Sequence, residues 1–135
     1  MTRSEIRALW TALIEGSIGP EEVRAWADPW VRWGDREPSE WGVVDAVYIL
    51  HGLTGQHRWA EIASTATLRE RFDEWKADCV AHDADPVGFK HSRSISFLRG
   101  FAIHYPEKAP RLAEKMVRDG RLTEADVQAI LGRLN

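Results

Sequence analysis

Apolar residues along this chain recur mostly at intervals of three and four, the period of a helix that buries one face. Ile6, Leu9, Trp10, Leu13 and Ile14 form the first such stripe. Thr2 is placed to cap it, Glu5 three residues on completes a capping box, and Gly16 closes it in the left-handed conformation. The stretch "EGSIGPEEV" predicts the next helix start. Gly19 serves as N-cap, Pro20 takes the first helical position where its missing N–H costs nothing, and Ile18 and Val23 have the spacing of a hydrophobic staple.

Pro38 and Ser39 open a third segment through "EWGVVDAVYILHGL". Val43, Val44, Val47, Ile49 and Leu50 make it almost continuously apolar, as expected of a central helix with several neighbours, although the β-branched content also admits a short strand. After the turn "GLTGQH", Thr65 or Thr67 begins a helix that carries Leu68, Phe72, Trp75 and Cys79 on one face. "HDADPVGFKHSRS" breaks the pattern and reads as a loop. A helix from about Ser94 to His104 comes next, with Ile95, Leu98 and Ala102 alongside Phe97, Phe101 and Tyr105, and Pro106 ends it. "EKAPRLAEKMVRDG" and "TEADVQAILGRL" predict a closing helical hairpin. There Gly120 ends one helix, Thr123 and Asp126 form a second capping box, and Leu122 staples to Val127. The expected fold is all-α, one compact irregular or orthogonal bundle of about six to seven helices over residues 1–135. The 83–92 loop is the natural place for a subdomain division.

Length and composition agree with a folded domain. A chain of 135 residues buries roughly two thirds of its unfolded surface and needs no disulfide or structural metal to fold. Its 44% hydrophobic and 29% charged residues are ordinary for a globular protein. The lone Cys79 excludes an intramolecular disulfide and points to a reducing compartment. No basic and apolar N-terminal run resembles a signal peptide, and no apolar stretch approaches the ~20 residues of a membrane span. A cytoplasmic protein with no membrane contact is expected.

Charge alters the picture through its distribution. The net charge is −3, yet Met1–Asp45 carries nine acids against five bases, and Pro86–Arg121 carries three acids against eight bases. Such asymmetry either steers a partner or draws the two halves of the fold together.

"RAWADPWVRWGDREPSEW" holds four of the seven tryptophans. Trp26, Trp30 and Trp33 fall on one helical face, with Asp28 and Pro29 placed to split the segment into two short helices. Burial in the core explains most of this density, and Trp41 among its acids is the tryptophan best placed at a rim. Lys90, His91, Ser92, Arg93 and Ser94 stand at an expected helix N-terminus, where free N–H groups favour an anion, although serine capping accounts for the serines as well. His51 and His57, six apart across a turn, have no metal-ligand spacing. His82, Asp83, Asp85 and His91 cluster in the loop and offer nitrogen and oxygen ligands, but such loops are common without metal, and no metal or cofactor is expected. Cys79 lies on an apolar stripe, the setting of an inert thiol. Nucleophile-elbow, phosphate-loop, zinc-protease and dinucleotide motifs are all missing from the sequence, so a non-catalytic role is expected.

From Gly16 to Trp75 the chain resembles small stand-alone bacterial helical proteins of the immunity type. "EGSIGPEEVRAWADPW", Trp41, "ILHGL" and "LRERFDEW" carry the resemblance, and the part after Cys79 has no counterpart in it. The resemblance implies neutralisation of a partner protein such as a toxin. An acidic N-terminal half suits a basic partner, with Asp28, Asp35, Glu37, Glu40, Trp41 and Asp45 as contact candidates. The alternative is nucleic-acid binding through the basic 86–121 segment. Glu124 and Asp126 at the start of the last helix, together with overall acidity, disfavour a helix-turn-helix mode. A third reading is a metal- or anion-binding helical domain at the His/Asp loop.

Overall fold

The computed structural model describes residues 1–33, 40–55 and 66–132. Among these residues the chain is all-α, with seven helices and no strand. They are α1 (Arg3–Glu15), α2 (Pro20–Trp33), α3 (Val43–Leu53), α4 (Ala66–Ala84), α5 (Pro86–His104), α6 (Ala109–Arg118) and α7 (Glu124–Leu131). No helix among the described residues is long and apolar enough to cross a membrane. The chain divides into two compact units, Met1–Val80 and Ala81–Asn135, with the division inside α4.

In the first unit, α1 starts on the Thr2–Glu5 capping box and stops on Gly16 at φ 78°. Its Ile6, Trp10 and Leu13 are buried against α2 and α3, whose mutual pairing is the most extensive of the unit. α2 differs from expectation. It is one helix with Pro29 inside it, although a proline there cannot donate to the carbonyl of Ala25. Both residues are exposed, so water can take the carbonyl and no second helix has to begin. α3 is a helix throughout, with Gly42 as its N-cap at φ 90°, while the expected opening at Pro38 and Ser39 lies outside the described residues. α4 contributes Leu68, Phe72, Trp75 and Cys79, all buried.

An aromatic stack fills the middle of this core. The rings of Trp10 and Phe72 lie 5.1 Å apart, those of Trp10 and Trp75 5.9 Å, and those of Phe72 and Trp75 6.3 Å. Such pairs add roughly 0.5–1.5 kcal/mol each to the burial of their area. Both buried indoles have acceptors: Trp10 donates to the carbonyl of Leu68 at 3.2 Å and Trp75 to that of Gly42 at 2.8 Å.

The second unit packs α5, α6 and α7 around Leu98, Ala113, Met116, Leu122 and Ile130. Here the expected loop at 83–92 is corrected. α4 continues to Ala84, and α5 begins at Pro86 rather than near Ser94. Asp85 caps it, accepting the Gly88 N–H at 3.0 Å, and Pro86 occupies the first turn. The Asp85-Pro86-Val87-Gly88 run is a helix start rather than a connection. The closing hairpin matches the sequence pattern, with Gly120 at φ 75° and a Thr123–Asp126 capping box.

Candidate functional site

Asp28, Glu40 and Trp41 among the acidic and aromatic contact candidates are held by contacts within the first unit. Asp28 is half-buried, with Oδ1 3.3 Å from His51 Nε2 and Oδ2 3.0 Å from Arg32 Nη2 one turn along α2. Arg24, one turn earlier, donates Nη1 to the His51 carbonyl at 2.9 Å and so satisfies a group the end of α3 leaves open. Glu40 is exposed, yet Oε1 accepts the Arg3 backbone N–H at 3.3 Å and Oε2 lies 3.9 Å from Arg3 Nε. The same Nε donates to the Trp41 carbonyl at 2.7 Å, which ties the start of α1 to the turn before α3. Trp41 is half-buried against the core. Asp45 is exposed in the first turn of α3, where the positive helix end favours a carboxylate. Asp35 and Glu37 lie outside the described residues.

Two aromatic residues that the sequence does not mark as contacts stand out on this unit. Trp33, the last residue of α2, is 65% exposed, and Tyr48 is 51% exposed one turn from Asp45 on the outward side of α3. Trp26 and Trp30, by contrast, pack partly against the core. The three tryptophans therefore do not share one environment.

In the second unit, Lys90, His91, Ser92, Arg93 and Ser94 lie more than a turn inside α5. The premise of an anion at their free N–H groups falls, because the helix begins at Pro86 and these amides lie within it. His91 Nε2 instead donates to Asp126 Oδ2 at 3.0 Å. That oxygen also accepts the Thr123 N–H at 2.8 Å. The Thr123 backbone N–H, with His91 after it, holds the Asp126 carboxyl down to about 2. His82, Asp83, Asp85 and His91 do not gather: no group of three or more His, Cys, Asp or Glu side chains is placed to hold a metal ion among the described residues.

The outward face of α5 carries an aromatic ladder. Phe97 and Phe101 have centroids 6.3 Å apart, and Phe101 and Tyr105 are 5.2 Å apart. Phe97 is 59% and Tyr105 51% exposed. Cations sit against aromatic rings toward both ends of the helix, Arg93 over Phe89 at 5.3 Å and Lys108 over Tyr105 at 5.6 Å. The sequence placed these aromatics on the helix, but period alone cannot say which of two apolar stripes meets the core. Leu98 and Ala102 do. The unit also has a groove of about 680 Å³ between α6 and α7, lined by Ala113, Val117, Val127 and Leu131 with Glu114, Arg118 and Glu124 among its polar members.

No family model, curated protein or solved structure gives a significant match to this chain.

Proposed function

We propose that this chain is a non-catalytic protein-binding module, an inhibitor or immunity protein whose first unit captures a basic partner such as a toxin. The observation that carries this reading is the exposure of Trp33 and Tyr48 on a unit rich in carboxylates, Tyr48 one turn from exposed Asp45. Tryptophan and tyrosine are the residues most enriched at binding hot spots, because they bury much area at little entropic cost. Met1–Val80 carries fourteen acids against nine bases, and Arg3, Arg32, Arg71 and Lys76 already have carboxylates within 4.0 Å. The excess negative charge steers a basic protein towards the surface. Asp28 and Glu40 serve mainly to hold α2 and the turn before α3 in place, and Asp45 adds its charge to the exposed first turn of α3 beside Tyr48.

Size-exclusion chromatography of the purified protein with the product of its neighbouring gene tests the reading. A co-eluting complex is expected, weakened by salt and by at least roughly tenfold in Trp33→Ala or Tyr48→Ala, as hot-spot truncations behave. Absence of any complex at low salt overturns it.

A further inference from the structure

We propose a second, separate binding surface on the Ala81–Asn135 unit: the outward faces of α5 and α6 form a track for single-stranded nucleic acid. Three observations carry it. The first is the ladder of Phe97, Phe101 and Tyr105, which spans two helical turns and leaves Phe97 and Tyr105 more than half exposed. An exposed ring stacks on an unpaired base of any identity.

The second is that α5 contains no aspartate or glutamate from Pro86 to His104, while Lys90 and Arg93 lie on the ladder's side of the helix. The third is a line of positive charge beyond the ladder. Lys108, set over Tyr105, begins a row with Arg111, Lys115 and Arg118 at helical spacings of three, four and three on the exposed face of α6. None of these four forms an ion pair among the described residues, unlike Arg3, Arg32, Arg71 and Lys76 of the first unit.

Rings in line, succeeded by unpaired cations in line, match a linear polyanion with accessible bases. A symmetric pairing of two copies through this face would set these cations against their own equivalents. A duplex hides the faces of its bases, which leaves the rings without a role. A membrane surface uses the rings and cations but gains nothing from their continuation as a row along α6.

Fluorescence anisotropy of the full chain with a labelled oligothymidylate of about 20 nucleotides tests the proposal. The expected affinity falls roughly 50-fold between about 50 and 200 mM salt, as for about four phosphates neutralised on a single strand. Phe97→Ala and Tyr105→Ala each weaken binding roughly tenfold, and the Arg111→Glu/Lys115→Glu pair removes it, with helicity unchanged by circular dichroism. No binding at about 50 mM salt overturns the proposal. So does binding that ignores both ring substitutions, tighter binding of the matching duplex, or capture by phosphatidylserine vesicles without capture of the oligonucleotide.

Discussion

Trp75 donates its indole N–H to the carbonyl of Gly42 at 2.8 Å, so the residue that caps α3 also satisfies the buried indole of α4. The two requirements meet at one backbone position. Gly42 has φ 90°, and a Cβ built there would lie 3.2 Å from both Trp75 Nε1 and Cys79 Sγ.

Gly42→Ala should therefore destabilise the fold by about 2–4 kcal/mol, combining left-handed strain with overpacking of a buried contact. Urea denaturation monitored by tryptophan fluorescence reads the change. A variant as stable as the parent would mean that the turn relaxes without disturbing Trp75.

Pro29→Ala should act in the opposite direction. It restores an N–H to the interior of α2 and gives the Ala25 carbonyl its helical partner, at a position exposed to solvent. The expected gain is about 1–3 kcal/mol, since proline within a helix is roughly 3 kcal/mol worse than alanine. A loss of stability would show that Pro29 fixes a bend on which the packing of Trp26 and Trp30 depends.

Arg24→Ala should cost about 1.5–3 kcal/mol, the range for a hydrogen bond from a charged donor. Arg24 is half-buried, and its Nη1 lies 2.9 Å from the His51 carbonyl. Arg24→Lys shortens the reach and loses the planar fork, so it should recover only part of the loss. Full recovery by lysine would assign the effect to charge alone.

Acid should loosen the α7 cap within a defined window. The folded Asp126 carboxyl titrates at about 2, below its ordinary value of 3.8, chiefly because the Thr123 N–H binds the charged form. A carboxyl depressed in this way stabilises the fold above its unfolded value and loses that contribution as pH falls through the folded one. Asp126→Asn should thus melt below the parent at neutral pH, and the difference should shrink between about pH 4 and pH 2. A difference unchanged across that range would exclude the carboxylate charge as its source.

Much of this architecture was legible in the sequence where local chemistry decides it. Thr2 with Glu5, Gly16, Thr123 with Asp126, and the Leu68–Phe72–Trp75–Cys79 stripe all act as their spacing predicts. Punctuation with two meanings misled. Asp85 and Pro86 read as a loop because aspartate and proline favour turns, yet the same pair is a strong helix start. Asp28 and Pro29 read as such a start, yet α2 passes through them. Context settles each case: α2 carries Trp30 and Val31 beyond the proline onto the same core that buries Val23 and Ala27, whereas α4 has ended at Ala84. The candidate surfaces were less legible. Phe97, Phe101 and Tyr105 have the same period as core residues, and only packing reveals that Leu98 and Ala102 occupy the core side instead.

The contrast among the tryptophans makes the protein its own optical reporter. Trp10 and Trp75 are sealed in the aromatic stack, whereas Trp33 is 65% exposed at the end of α2. Among the described tryptophans its emission should lie furthest to the red and be the most accessible to iodide or acrylamide. A molecule settling on that end of α2 would shift the red edge of the spectrum and slow quenching while the emission of the sealed pair stayed still, so occupancy can be tracked without a label.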